Sequence, residues 1–286
     1  MIVGFIGFGQ VASTLSNILS AKGIQTVTVV KDRSQKTNKL AVNSDVQIID
    51  SYKALLEGSD IVISANSPAN ALNLAEKYSD HMGQGIYLDL NNISPNTTYS
   101  MAKFFDKSEN IVSDEEESKL NIFQKKKEPD MRNNFVDGAI IGSVSNNPPL
   151  ILLSGVRANE LVILNNYGLK IMVLSNTPGD ASTLKILRSL YTKGVSAVLM
   201  EAFETAKNID LEAQLFDILS ITEGEDFEAK SNSRLKNSYK NSKRKVEEMD
   251  EALKFLDEIS PDKKHFMTKA ARNKFNLYYI IIILFK

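Results

Sequence analysis

A chain of 286 residues, 43% hydrophobic and 24% charged, has the composition of a globular protein and the length for one large domain or two moderate ones. Its formal charge of -1 argues against a broad basic surface for nucleic acid, and the lack of cysteine excludes disulfides, thiolate metal sites and a cysteine nucleophile. The expectation is a cytoplasmic protein acting on a small molecule, with no nucleic-acid partner.

The amino terminus, MIVGFIGFGQ, is apolar but lacks the basic flank and cleavage site of a signal peptide. It reads as a strand running into a glycine turn. From residue 2 to 175 short β-branched runs recur: IVGFIGF, TVTVV, VQIID, DIVISAN, GIYLDLN, NFVDGAII, LILLS and KIMVLS. Helical spacing separates several of them, which predicts a mainly parallel sheet covered by helices. Near-continuous apolar strands fit burial on both faces. One stretch, at about 106–132, carries acidic and basic runs with almost no apolar period and reads as a charged insertion.

After Pro178 the strand signals end. Asp180 is a candidate N-cap, and Leu184, Leu187, Tyr191, Val195, Val198 and Ala202 repeat at three and four, as one packed helix face requires. The run SRLKNSYKNSKRKVEEMDEALKFLDEIS reads as a further long amphipathic helix with room for a break. The fold class is therefore α/β: a Rossmann domain over 1–176, then an all-helical domain over 177–286. The last apolar run, YYIIIILF, is eight residues long, far below the ~20 that a spanning helix needs, so no membrane segment is expected. A buried strand, a dimer contact and an aberrant terminus all remain open for it.

Chemistry enters at the glycine turn. Gly7, Gly9 and Ala12 fit G-x-G-x-x-A directly after a strand and before a helix, the context in which the pattern cradles a dinucleotide pyrophosphate. The contact segment is Gly7, Phe8, Gly9, Gln10, Val11 and Ala12. Roughly 20 residues on, VVKDRSQKT lies where an adenosine ribose belongs and offers both signs of charge. Asp32 would suit the 2'-hydroxyl of NAD, whereas Arg33 and Ser34, backed by Lys31 or Lys36, would hold the 2'-phosphate of NADP. Three cations favour NADP, with NAD as the alternative.

Five motifs in order resemble the β-hydroxyacid dehydrogenase superfamily, which includes 3-hydroxyisobutyrate and 6-phosphogluconate dehydrogenases, and most closely an uncharacterised archaeal-type branch of it. They are the glycine turn; YLDLNNISPNT, with Asp89 and Pro95 kept and Asn91 and Asn92 in place of Ser and Thr; and FVDGAIIGSV, similar to D-A-P-V-S-G-G. GDASTLK then resembles the catalytic G-x-G-x-x-x-K, and EAFETAKNIDLE the segment that follows it. The resemblance implies hydride exchange between a nicotinamide and a small 3-hydroxy or oxo acid, with Lys185 moving the proton. It also implies substrate contacts from Asp137, Gly142, Ser143, Ser189 and Asn92, further cofactor contacts from Ser67, Pro68 and Asn91, and a homodimer formed by the helical domains. Arg188 and Ser189 stand where asparagines usually follow the lysine, and Ile141 replaces a serine, so substrate preference is expected to differ. Arg188 could clasp a carboxylate or phosphate.

Helical spacing puts Ser182, Lys185, Arg188, Ser189 and Thr192 on one polar stripe, as a cleft lining would. A lone lysine on a helix is more often a surface residue; the motif order around Lys185 argues for a site. Two other readings stand beside it. One is an imine reductase; the other is an NADP-binding protein without catalysis, with the charged insertion serving a regulatory partner.

Overall fold

The computed structural model describes residues 1–106, 133–144 and 148–284. The charged stretch expected at about 106–132 lies outside them, apart from Asp106. Eight strands form one sheet: β1 (Ile2–Ile6), β2 (Gln25–Thr28), β3 (Gln47–Ile48), β4 (Ile61–Ser64), β5 (Ile86–Asp89), β6 (Phe135–Ile141), β7 (Leu150–Ser154) and β8 (Lys170–Ser175). Their order is β3-β2-β1-β4-β5-β6-β7-β8, and every neighbouring pair is parallel except β6 with β7. The β-branched runs become strands because both faces of the sheet are covered.

Among the described residues five α-helices accompany the strands, α1 (Gln10–Ser20), α2 (Gln35–Val42), α3 (Tyr52–Gly58), α4 (Pro68–Ser79) and α5 (Pro95–Phe104), and a 3-10 helix, Ala158–Tyr167, links β7 to β8. One apolar layer joins Phe5, Ile63, Leu88, Val136 and Leu153 to Leu15 and Leu19 of α1. The opposite layer packs Val62 and Tyr87 against Leu55, Ala75, Met101 and Phe105. The chain leaves β1 on one side for β2 and returns on the other to β4, so the strand order reverses between β1 and β4. In parallel sheets the crevice at such a switch point is where ligands bind.

Five further helices follow: α6 (Asp180–Asn208), α7 (Glu212–Glu223), α8 (Phe227–Lys240), α9 (Ser242–Ile259) and α10 (Phe266–Leu284). The chain divides into two compact units, Met1–Lys185 and Ile186–Lys286. The second unit has its own core of Met200, Phe203, Phe216, Met249 and Phe275, with the rings of Phe203 and Phe216 4.1 Å apart. The expected long amphipathic helix is two helices, α8 and α9, broken at Asn241. The apolar run, left open by its sequence, continues α10 as helix as far as Leu284, where the described residues end.

The buried face of α6 differs from the expected one. Leu184, Leu187, Tyr191 and Val198 are exposed, whereas Ser196, Met200, Phe203 and even Lys193 are buried. The three-and-four spacing identified a real apolar stripe, but within one chain the neighbouring face, ending in Met200 and Phe203, meets the core. Among the described residues, no helix is long and apolar enough to cross a membrane.

Candidate functional site

The glycine turn sits at the carboxyl end of β1, at the switch point. Gly7 adopts φ +82, and a Cβ there would fall 2.3 Å from Asn66 Oδ1 and 2.7 Å from the Ala65 carbonyl oxygen. Only glycine fits, on both counts. At Gly9 a Cβ would meet nothing within 4 Å, so this backbone faces open space through which a ligand can approach. Helix α1 starts at Gln10 with no acidic residue in its first turn, and its first N–H groups lack intrahelical acceptors. These features fit a dinucleotide pyrophosphate. Ala12 is fully buried, allowing α1 to lie close to the sheet; Phe8 points inward onto Phe5, so it can offer only backbone to a cofactor. Val11 is half-buried and Gln10 exposed.

At the tip after β2, Lys31, Asp32, Arg33, Ser34 and Lys36 are all exposed. Asp32 takes φ 60, a left-handed conformation. Arg33 reaches back to the switch point, donating to Asn66 Oδ1 at 3.4 Å. Ser34 is the N-cap of α2, its hydroxyl accepting from Thr37 N at 3.2 Å. A depression beside this tip is lined by Gln10, Gln35, Lys36 and Lys39, which brings cations next to the start of α1. On the other side of the crevice, exposed Ser67 and Pro68 begin α4 directly after β4.

Behind the crevice lies a buried polar row. Register pairs Ser64 of β4 with Asp89 of β5, Asp89 with Asp137 of β6, and Asp137 with Ser154 of β7. All four are at most 1% exposed. Asn91 ties one end together: its side-chain amide donates to Asp89 Oδ1 and to Ser64 Oγ at 2.9 Å, and its carbonyl oxygen accepts from Asn66 N. Asn66 in turn donates to the Ile6 carbonyl at 2.7 Å, just before the glycine turn. At the other end Asp137 accepts from Ser154 Oγ at 3.1 Å, Gly179 N at 3.1 Å, Ser182 N at 2.9 Å and Ser182 Oγ at 2.7 Å. Burial pushes the Asp89 carboxyl up to about 7, with the neighbouring Asp137 charge acting in the same direction. Burial also raises Asp137, against the pull of its donors.

Three sequence expectations change here. Asn91 was expected at the cofactor, but both N–H groups and its oxygen are engaged inside the protein. Asp137 was expected at the substrate, but its carboxylate is 1% exposed and holds the first turn of α6. Asp180, expected as the N-cap, lies inside α6 with its carboxylate accepting from Ser175 Oγ at 2.6 Å; the capping acceptor comes instead from β6. Of the other expected substrate residues, Asn92, Gly142, Ser143 and Arg188 are exposed, and Lys185 and Ser189 half-buried.

Residues 2–92 match the family described as NADP oxidoreductase, coenzyme F420-dependent. An uncharacterised 28.5 kDa protein of Methanothermus fervidus is 40% identical over 275 residues, covering 96% of this chain and 98% of that one. The solved structure of MTH1747, a conserved protein of unknown function described as similar to 3-hydroxyacid dehydrogenases, is 36% identical. It covers 97% of this chain and 96% of its own, with a TM-score of 0.80. The chain belongs to the β-hydroxyacid dehydrogenase superfamily. The fold extends to more distant superfamily members: a 3-hydroxyisobutyrate dehydrogenase of Mycobacterium tuberculosis, 13% identical, superposes with a TM-score of 0.76 over 97% of this chain and 93% of its own.

This superfamily member also has polar residues that its sequence did not single out. Ser64 and Ser154 each look like an ordinary strand end until register places them in one row, and Asn66 joins that row through Asn91. In the helical unit Lys193 is only 8% exposed, bridges Glu248 at 2.7 Å and donates to Ser189 Oγ. Glu248 is held low by Lys193 and by Arg244, at 2.9 Å, against its partial burial. Lysine normally marks solvent, and 55 positions separate it from its partner, so no local signal existed.

Proposed function

We propose that this protein is a cytoplasmic NADP-dependent oxidoreductase that moves a hydride between the nicotinamide and a small 3-hydroxy or oxo acid, with Lys185 as the proton-transfer residue. Residues 1–176 serve the dinucleotide, and residues 177–286 serve substrate and dimerisation. The observation that carries the reading is the glycine turn at the switch point, with Gly9 open to a ligand and Gly7 locked by Asn66. Family membership supports a nicotinamide cofactor, which supplies the hydride acceptor at C4 of its ring when bound. Arg33, with Lys36 and Lys39 nearby, supports NADP over NAD.

In the oxidation the substrate carbon loses hydride and its hydroxyl loses a proton; a neutral Lys185 Nζ takes that proton, and the reverse reaction returns it. Gly142, Ser143, Arg188, Ser189 and Asn92 are candidates for holding the substrate, with Arg188 suited to a carboxylate. A homodimer is part of the reading: Leu187, Tyr191, Val198, Ile209, Leu211 and Ile218 are exposed in the helical unit, and the last four line one open depression, an apolar cluster that a second copy could cover.

The test is an absorbance assay of a hydroxy-acid panel with NADP and NAD in parallel. Turnover that Lys185→Ala removes while NADPH binding persists is the expected result. A Lys185→Ala protein with normal turnover overturns the role of the lysine. Tight NADPH binding with no turnover on any hydroxy acid, oxo acid or cyclic imine would instead support a non-catalytic cofactor-binding protein.

A further inference from the structure

We infer that Asp137 is a positioning residue for the reaction, fixing the helix that carries Lys185 to the sheet that carries the glycine turn. The inference rests on the proposed role of Lys185.

The geometry is unlike an ordinary cap. Helix N-termini are usually satisfied by a side chain just ahead of the first turn. Here the acceptor lies 42 to 45 residues earlier, in the middle of a strand with both neighbours paired. The result is a tether between α6 and the sheet. Four donors converge on one carboxylate: the N–H groups of Gly179 and Ser182 and the hydroxyls of Ser182 and Ser154. The Ser154 hydroxyl also accepts from Ala181 N at 3.0 Å, so three backbone donors at the helix start, those of Gly179, Ala181 and Ser182, are held by two residues of adjacent strands. Gly179 stands at φ +96, and this left-handed turn carries its N–H onto the carboxylate.

Such an arrangement fixes rotation as well as position. Turning α6 by one residue, about 100°, would break every one of these bonds. Ser182 is buried and points its hydroxyl at Asp137, while Lys185 lies one turn on, at the i+3 position of the same side. A displacement of Ser182 is therefore a displacement of Lys185. A neutral serine or asparagine on β6 could cap the same N–H groups without placing a second carboxylate beside Asp89. The two oxygens of the Asp137 carboxyl group take all four donors at once, which the single oxygen of serine or asparagine does less well, and so define a single geometry.

The row extends the tether. Asp137 neighbours Asp89, Asp89 is bound by Asn91, and Asn91 fixes Asn66, which locks Gly7. The cofactor turn and the start of the lysine helix are thus referenced to one buried line of side chains within the first compact unit.

The experiment uses the full chain and a hydroxy acid that turns over, comparing wild type, Lys185→Ala, Asp137→Asn and Ser182→Ala. For Asp137→Asn, kcat should fall about tenfold to a hundredfold, the effect of misplacing a reacting group by up to about 1 Å. The KM for substrate and the Kd for NADPH should stay within about twofold, because no substrate or cofactor contact is removed. Ser182→Ala should shift kcat the same way by less, and the double variant should be no worse than Asp137→Asn alone. Unchanged kcat in both variants overturns the inference, as does a loss shared equally by kcat and NADPH affinity. If Asp137→Asn does not fold, Ser182→Ala decides by the same kcat, KM and Kd pattern. Should Lys185→Ala keep full turnover, the reaction reading fails; should it be inactive while Asp137→Asn is normal, only the positioning role fails. Amide exchange at Gly179 to Thr183 gives an answer without any substrate: faster exchange there in Asp137→Asn supports the tether, and unchanged exchange overturns it.

Discussion

Replacing Asp89 by asparagine tests the buried carboxylate pair through folding stability. The folded protein holds this carboxyl up to about 7, against an ordinary value of 3.8, because burial and the facing Asp137 both penalise its charge. Between those values the folded chain binds a proton that the unfolded chain has already released. Stability therefore falls as pH rises through this window and levels off above it. At about 1.36 kcal/mol per pH unit the full window is worth about 4 kcal/mol, of which about 2 to 3 kcal/mol falls between about pH 5 and about pH 7. Asparagine keeps an oxygen that can accept from Asn91 but cannot ionise. Urea denaturation of both proteins across this range should show wild type losing stability relative to Asp89→Asn by that amount, then running parallel to it at higher pH. A difference independent of pH, or one that grows in the opposite direction, would refute the account of the pair.

Gly7→Ala and Gly9→Ala should separate strain from binding. Gly7→Ala combines a left-handed backbone with a Cβ 2.3 Å from Asn66 Oδ1, so it should lose about 2 kcal/mol or more in a thermal or urea melt. Gly9→Ala has open space around it and should melt normally, yet lose NADPH affinity in a fluorescence titration. Arg33→Ala should weaken NADPH binding by about tenfold or more and leave NADH binding nearly unchanged; equal losses for both would refute the 2'-phosphate assignment. Val198→Asp, on the exposed stripe of α6, should leave helicity intact and turn a dimer into a monomer in sedimentation velocity.

Much of this arrangement is legible in the sequence because it is written locally. All eight strands coincide with β-branched runs, and the glycine turn is readable because strand, turn and helix are contiguous. The exposed face of α6 was not readable: spacing reports that Leu187, Tyr191 and Val198 share a side, but not whether this chain buries it. Asp137 was assigned to substrate because FVDGAIIGSV resembles the family's substrate-binding D-A-P-V-S-G-G. Its true partners are 17 to 45 positions away, and only sheet register brings them into reach. Lys193 and Glu248 were missed for the same reason, with burial hidden by side chains that ordinarily signal solvent.

The row from Ser64 to Ser154 also bears on how the sheet finds its pairing. A slip of one residue sends every side chain of a strand to the opposite face. For β6 such a slip would drive the Asp137 carboxylate into the layer of Phe5, Ile63, Leu88 and Leu153, where only carbon awaits it. An all-apolar β6 would tolerate several alignments against β5 and β7 with little to distinguish them. A single carboxylate with four donors on one side and hydrocarbon on the other makes the misaligned sheets steeply unfavourable, so the same side chain that fixes the lysine helix selects the correct fold from its near neighbours.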